Sequence, residues 1–354
     1  MRELLAGVLR RFDPRFAVLL ACFFLSGLAG LIYQTAWTQQ FALVFGTSEL
    51  ALVTVLAAYM AGLALGAAAA GRLVHRFDRP LLVYALLELG IGVTALLVPV
   101  AIGLANRLQV VLLGGYELPT SAESIASGIF YLFSSFAILL VPTALMGATL
   151  PLLARFAVRR TEEIGARIGV LYTANTAGAA AGTLLAAYAL LPRTGLGVTI
   201  LIAAGLNILV FGLAALLARG QKTAPDEEPT TGNAKRKGVP WVLPLIFLSG
   251  AVSFTWEVLW TRLLSFLLGG SVYAFATMLA TFLVGLSVGS AVASRLASSR
   301  VRAEKWFAAA QIAIGCLSLV AFAAVDRLPG IVKSLSGVDG GFPAGDVILS
   351  GAVL

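Results

Sequence analysis

The chain has 354 residues, of which 59% are hydrophobic and only 12% are charged, and its mean hydropathy is +0.95. A soluble domain carries roughly twice this charged fraction, so the composition indicates a membrane protein. The apolar segments are continuous runs rather than short alternating strands, which excludes a β-barrel. The net charge of +8 does not indicate nucleic-acid binding, because Lys and Arg lie in short clusters between the apolar runs.

Apolar runs long enough to cross a bilayer as helices, about 20 residues each, follow one another along the chain. They predict spans at 16–45, 49–71, 81–105, 124–154, 168–191, 197–218, 241–268, 272–294 and 306–325. A tenth span is predicted to begin near Val347. The predicted fold class is therefore an all-α polytopic membrane protein with about nine or ten transmembrane helices.

Basic residues are distributed unevenly between the two sides of this predicted topology. With a cytoplasmic N-terminus, 20 of the 25 Lys and Arg residues fall on the cytoplasmic side and four on the opposite side, while Arg262 lies in or near a span. Since cytoplasmic loops carry the excess of basic residues, the N-terminus is predicted to be cytoplasmic. The polar segment 220–239 is predicted to be a flexible cytoplasmic linker. It separates a six-span first half, 1–219, from an incomplete second half, 240–354, which holds three spans and the start of a fourth.

An internal repeat relates the two halves. The segment FLSGLAGLIYQTAWT (24–38) aligns without gaps on FLSGAVSFTWEVLWT (247–261), at an offset of 223 residues. From 24 to 73, 19 of 50 positions are identical to their counterparts. Because six spans make up the first half, both copies have the same orientation, which is a parallel repeat.

Glycines recur every four residues in the second span of each copy, as Gly62 and Gly66 and as Gly285 and Gly289. Rows of small residues at this spacing allow two helix backbones to approach closely. We therefore expect these glycines to serve helix packing rather than ligand binding.

Ionisable side chains inside spans are rare and costly, so they are the first candidates for a functional site. Glu88 lies in the third span and Glu257 in the seventh, and the repeat offset pairs Glu88 with Gln311 and Glu257 with Gln34. Each half thus has one carboxyl and one carboxamide at two equivalent positions, with the assignment exchanged. If these four side chains converge near the pseudo-twofold axis, they line a central site that contains two carboxyls.

Aromatic side chains flank the same positions. Tyr33 and Trp37 lie four residues apart and share a helical face, as do Trp256 and Trp260. Carboxylates beside aromatic faces suit an organic cation, through charge pairing and cation–π attraction. The alternative is structural: the aromatic residues mark the membrane interfaces and the polar groups hydrogen-bond one another between helices.

Metal and cofactor sites have little support in the sequence. The two cysteines, Cys22 and Cys316, fall in separate predicted spans and offer no metal-ligand spacing, and the single histidine, His75, lies in a basic loop. We expect no cofactor and no metal in this chain.

Several motifs resemble, in order, the membrane region of bacterial fused major-facilitator/spermidine-synthase-like proteins. They are FLSGLAGLIYQTAWT, WEVLWTRLLSFLLGGS (256–271), YALLELGIG (84–92), PTALMGATLPLLARF (142–156) and LYTANTAGAAAGTLLAAYALLPRTG (171–195). The likeness covers nearly all of 20–320. In that family a Glu usually follows the aromatic residue of the first-span motif, where this chain has Gln34.

The resemblance implies a major-facilitator-like fold in a bacterial inner membrane, and a membrane module that binds or transports a small organic cation such as a polyamine. Glu88, Glu257, Gln34 and Gln311 would then supply polar contacts, and Tyr33, Trp37, Trp256 and Trp260 the walls. The alternative is a membrane anchor or substrate conduit for an aminopropyltransferase domain outside this chain. Such a soluble domain would be the catalytic partner, because this chain has no strand-associated glycine-rich loop to bind its nucleotide cofactor.

Overall fold

The computed structural model describes residues 14–45, 49–113, 125–157, 164–219, 242–268, 272–296 and 300–327. In this part of the chain the first half contributes helices α1 (Pro14–Phe45), α2 (Glu49–Leu73), α3 (Pro80–Leu113), α4 (Ile125–Ala157), α5 (Ile164–Leu185) and α6 (Leu191–Arg219). The second half contributes α7 (Val242–Leu268), α8 (Val272–Leu296) and α9 (Arg300–Ala324). Short turns of 3₁₀-helix follow α2 at Val74–Arg76 and α9 at Val325–Arg327, and a π-helical turn, Ala186–Leu190, joins α5 to α6. The predicted linker 220–239 and the predicted tenth span lie outside the described residues.

Within these residues, eight helical stretches are long and apolar enough to cross a membrane, and one of them, Arg167–Arg219, has 53 residues. That long stretch contains α5 and α6 and is broken at Gly195, whose φ of 74° and ψ of 177° are not helical. Glycine adopts this backbone conformation without the steric cost that a side chain would add.

The chain reverses direction at this break, as the contacts with α1 show. Along α5, Gly178 approaches the backbone of Phe24 and Gly182 that of Leu28, so α5 runs parallel to α1. The start of α6 packs against the end of α1, and the end of α6 packs against the start of α1. The two helices are therefore antiparallel. The 53-residue stretch therefore contains two helices, as the sequence predicts.

The first half forms a bundle with two apolar clusters stacked along its length. One cluster contains Ile32, Trp37, Tyr59, Ile91 and Ile200, together with fourteen other buried residues. The other contains Phe16, Leu81, Leu153, Leu171 and Val210, together with nine others. Every helix of the first half contributes to at least one of the two clusters, so this half has a continuous core.

Glycines bring the backbones of two helix pairs into contact inside this bundle. A Cβ atom added at Gly66 of α2 would lie 1.8 Å from the carbonyl oxygen of Ala144 in α4, and one at Gly182 of α5 would lie 2.2 Å from that of Leu28 in α1. Any larger residue would therefore force these helices apart. The glycine-mediated packing predicted for α2 is confirmed.

The second half packs on the first mainly through α8 and α5. Tyr188 and Thr277 form a 2.5 Å hydrogen bond at one end of this helix pair, and Ser287 donates to the backbone oxygen of Thr173 (3.2 Å) toward the other end. The helices are therefore antiparallel. Because α7 in turn runs antiparallel to α8, with Leu264 beside the start of α8, α7 has the same direction as α1.

Two helices of the second half, α7 and α9, are far more exposed than the described helices of the first half, whereas α8 is buried to a similar degree. In the most apolar 18-residue segment of each helix, no residue of α9 is buried and only 6% of the residues of α7 are. In α8, a Cβ atom added at Gly285 or Gly289 would meet no described atom within 4 Å, unlike one added at their counterparts Gly62 and Gly66.

Candidate functional site: a cavity between the two copies

A cavity of about 380 Å³ lies where the first half faces α7 and α8. Its volume falls in the range of about 300–1,000 Å³ that is usual for small-molecule sites. Its walls come from α1, α2, α4 and α5 on one side and from α7 and α8 on the other, and most of their surface is apolar.

Most of the lining residues are related by the repeat. The pairs that lie 223 residues apart and both line the cavity are Gly27/Gly250, Gly30/Ser253, Leu31/Phe254, Gln34/Glu257, Tyr59/Phe282, Met60/Leu283 and Leu63/Leu286. The cavity is thus formed where equivalent faces of the two copies meet. An asymmetry within a pair therefore changes the chemistry of one wall relative to the other.

Among the described residues that line the cavity, Glu257 is the only charged one. Its side chain is 5% exposed, and its Oε1 atom is buried without a hydrogen-bond partner in the described part of the chain. A buried carboxylate without a partner is costly, because the charge has lost its water and gained nothing in return. Because Glu257 lines the cavity, this unpartnered oxygen is the candidate contact for a ligand bound there.

Gln34, the counterpart of Glu257, has a similar environment. Its side chain is 3% exposed, it lines the same cavity, and its Nε2 atom has no hydrogen-bond partner among the described residues. Rotation of the terminal amide presents either the N–H₂ group or the oxygen, so Gln34 is able to donate to or accept from a ligand. The structure therefore brings together two of the four polar residues that the repeat offset singles out.

Glu88 lies inside the first half, at the junction of its two apolar clusters, and does not line the cavity. It is completely buried and accepts two hydrogen bonds, from Ser26 Oγ to Oε1 (2.6 Å) and from Asn207 Nδ2 to Oε2 (2.7 Å). Tyr33 donates in turn to Oδ1 of Asn207 (2.9 Å), which fixes the orientation of that amide. This network joins α1, α3 and α6, so the carboxyl holds three helices together.

Gln311, the counterpart of Glu88, also lies away from the cavity. It donates to Ser249 Oγ at 2.9 Å, and Ser249 is the counterpart of Ser26. A helix-to-helix hydrogen bond thus joins the same two positions in both copies, but the serine donates to the carboxyl in the first and accepts from the carboxamide in the second. In the second copy the two residues are half-buried.

The four aromatic residues expected to form walls lie elsewhere. Tyr33 and Trp37 stack at 5.1 Å inside the core of the first half, where both are buried. Trp256 and Trp260 stack at 6.3 Å and are half-buried on α7, and neither lines the cavity.

Other aromatic side chains line the cavity instead: Tyr59, Tyr172, Phe254 and Phe282. Tyr59 and Phe282 are counterparts within the aligned segment 24–73, and an aromatic residue at both positions is the signal that could have identified this pair. Phe254 is the counterpart of Leu31. Tyr172 lies on α5, and no feature of the sequence distinguishes it from the other tyrosines.

No group of His, Cys, Asp and Glu side chains in the described ranges is arranged to hold a metal ion. The polar groups around the cavity are hydroxyls, amides and a single carboxylate. These groups are suited to binding an organic molecule through hydrogen bonds and charge.

The fold and the cavity define an all-α protein with helices able to cross a membrane several times and a mostly apolar cavity, with a few polar groups, between two related helix sets. The sequence matches no protein-family profile, and no curated protein or solved structure is significantly similar to it.

Proposed function

We propose that this chain is the transport module of a multi-pass protein of the bacterial inner membrane and that its central cavity binds a small organic cation such as a polyamine. The proposal includes a major-facilitator-like arrangement of six-span parallel repeats with a cytoplasmic N-terminus. The observation that carries it is the unpartnered, buried carboxylate oxygen of Glu257 in a cavity between the two copies.

The charge of Glu257 sets the sign of the ligand. A cationic N–H group that bonds this oxygen would gain a charge-assisted hydrogen bond, which is worth about 1.5–3 kcal/mol. Such a bond would also relieve the cost of a buried, unpaired carboxylate. An anion would meet like charge in a site that desolvates it.

The walls suit the carbon skeleton of an organic cation. Most of the lining surface is apolar, and four aromatic rings contribute to it. An ammonium group over an aromatic face gains about 0.5–2 kcal/mol, depending on how completely it is desolvated. A metal cation would instead require several oxygen ligands, and the described lining of the cavity contains one carboxylate, that of Glu257.

Binding of labelled spermidine to the purified chain, and its uptake into proteoliposomes, tests the proposal. Glu257→Gln should weaken spermidine binding about 10- to 100-fold, because a neutral amide replaces the charge. The substitution should be tolerated by the fold, since Gln34 occupies the equivalent position in the first copy.

A control variant is Glu304→Gln, which makes the same change at an exposed residue on α9. It should bind spermidine as the original chain does. The proposal is wrong if Glu257→Gln binds spermidine with unchanged affinity, or if the original chain binds no organic cation.

A further inference from the structure

Ser26 belongs both to the cavity and to the buried network around Glu88. It lines the cavity, and its hydroxyl donates to Glu88 Oε1 at 2.6 Å. Asn207, which donates to the other carboxyl oxygen, is buried in the first-half core and does not line the cavity. The hydroxyl of Ser26 therefore lies between the buried carboxyl of Glu88 and the cavity.

We infer that Ser26 transmits the protonation state of Glu88 to the cavity, so that binding of an ammonium ligand releases a proton from Glu88. This inference rests on the proposed cation site at Glu257 and specifies how that site is regulated.

The hydroxyl of Ser26 has two arrangements. When Glu88 is ionised, the Ser26 O–H donates to Oε1 and the lone pairs of Oγ are left for an N–H donor in the cavity. When Glu88 carries a proton on Oε1, that O–H donates to Ser26 Oγ and the Ser26 hydrogen turns away toward the cavity. The cavity thus offers an acceptor in the first state and a donor in the second.

The ionised and protonated states of Glu88 interconvert by proton transfer through Ser26. On protonation, a hydronium ion in the cavity gives a proton to Ser26 Oγ while the original Ser26 proton passes to Glu88 Oε1, and a water molecule remains. On deprotonation the same steps run in reverse. No covalent bond other than these O–H bonds forms or breaks.

The surroundings of Glu88 allow it to hold either state. The titratable groups beside it are Cys22 and Tyr33 on α1 and Tyr84 on α3 itself. None of these carries a positive charge, and no described Lys or Arg pairs with Glu88. Its negative charge is held by hydrogen bonds from Ser26 and Asn207 rather than by an ion pair, so adding a proton breaks no salt bridge.

A ligand with N–H groups selects the arrangement in which Ser26 is an acceptor, and that is the arrangement with ionised Glu88. By linkage, a ligand that prefers the ionised state must release the proton when it binds, and its affinity must rise with pH. For one coupled proton, affinity rises about tenfold per pH unit until Glu88 is ionised in the free protein, and is constant above that pH.

The test is calorimetric titration of spermidine into the purified chain in buffers of different ionisation enthalpy, which counts the protons released. We expect about one proton per spermidine at a pH where Glu88 is protonated in the free chain. Glu88→Gln should still bind spermidine but with no proton release and no pH dependence. This carboxamide should fit, because Gln311 forms a hydrogen bond with Ser249 at the equivalent positions of the second copy.

Two further comparisons separate the role of Ser26 from a structural one. Ser26→Ala should lose the proton release, and Ser26→Thr, which keeps a hydroxyl, should restore it. Hexamethonium, a quaternary dication without N–H groups, should bind with less proton release than spermidine. Unchanged proton release in Glu88→Gln or in Ser26→Ala, or equal release with both ligands, would overturn the inference.

Failure of the cation site itself gives a different result. If Glu257 does not hold the cation, Glu257→Gln binds spermidine normally, and the proposed function is wrong whatever Glu88 does. The link between Ser26 and Glu88 is then tested without ligand, by infrared titration of the Glu88 carboxyl band. Ser26→Ala should move that band, and an unmoved band would contradict the inference.

Discussion

The two copies of the repeated segment have similar sequences but different surroundings. In the first copy, Gly66 touches the backbone of α4, and Ser26 donates a hydrogen bond to the completely buried carboxyl of Glu88. In the second, Gly289 meets no described atom, and the equivalent bond between Ser249 and Gln311 lies on an exposed helix. The same residue types therefore contribute different amounts to stability, because burial determines what each contact is worth.

The two copies also differ in where they place their carboxyl group, which is Glu88 in the first copy and Glu257 in the second. Glu88 is surrounded by hydrogen-bond donors and helps to hold α1, α3 and α6 together. Glu257 faces a cavity with one oxygen unpartnered among the described residues. Of the two buried acids, the first is suited to a structural and proton-holding role and the second to contact with a ligand.

The largest difference between the copies should come from Gly66→Ala and Gly289→Ala. The new Cβ at Gly66 would lie 1.8 Å from a backbone oxygen that is unable to rotate away, so α2 and α4 must separate. We expect a loss of about 3 kcal/mol in the free energy of unfolding, as for severe overpacking. Gly289→Ala should have no destabilising effect. Unfolding in mixed detergent micelles measures both, and equal losses would contradict the comparison.

Asn207→Leu should have the next largest effect. It leaves Glu88 Oε2 without its donor and the Tyr33 hydroxyl without its acceptor, both in buried positions. Each unsatisfied buried group costs about 1–3 kcal/mol, so we expect a total loss of at least about 2 kcal/mol. The double variant Asn207→Leu with Glu88→Gln should recover part of this loss, because the buried charge is then gone. No recovery would show that the network does not depend on that charge.

Gln34→Glu should sharpen the comparison at the cavity. It gives the first copy the carboxyl that the second copy already has, so the cavity would hold two carboxylates. We expect spermidine, which has several ammonium groups, to bind about tenfold more tightly, equivalent to about 1.4 kcal/mol. Binding of a monovalent amine should change less. If neither ligand responds, Gln34 does not contact the cation.

The smallest effect should come from Ser249→Ala, which removes the half-buried hydrogen bond to Gln311. A hydrogen bond contributes about 0.5–1.5 kcal/mol to stability, and we expect this one, between largely exposed helices, to lie at the lower end of that range. Ser26→Ala, which removes the buried counterpart, should cost more, about 1–2 kcal/mol. The same unfolding measurement compares them, and a larger loss for Ser249→Ala would reverse the ranking.

Much of the helical layout could be predicted from the sequence. The predicted span 49–71 corresponds to Glu49–Leu73, and 241–268 corresponds to Val242–Leu268. Even the pair of spans around Gly195 is predictable, although the two helices are continuous apart from one glycine conformation. Apolar length and turn residues determine such elements locally, because a chain in a bilayer must satisfy its backbone hydrogen bonds within each helix.

The candidate site is only partly predictable. The repeat offset identifies Gln34 and Glu257, which do share a cavity, but it gives equal weight to Glu88 and Gln311, which do not reach it. Tyr33 and Trp37 also turn into the core of the first half. A helix face is shared by residues four apart whether it meets a cavity or another helix, so spacing alone does not separate these cases.

The sequence by itself determined the polytopic helical class, the approximate positions of the spans and the equivalence of the two copies, because these follow from hydropathy and from identity at a constant offset. The tertiary structure alone decided which polar groups are hydrogen-bonded to one another and which belong to residues that line the cavity and have no partner among the described residues. Asn207 illustrates the reason: it lies 119 residues from Glu88 in the chain, and only the packing of α6 on α3 brings its amide to the carboxyl. Around α7, by contrast, the packing brings no such donor to Glu257 Oε1 among the described residues, which makes Glu257 the candidate ligand contact.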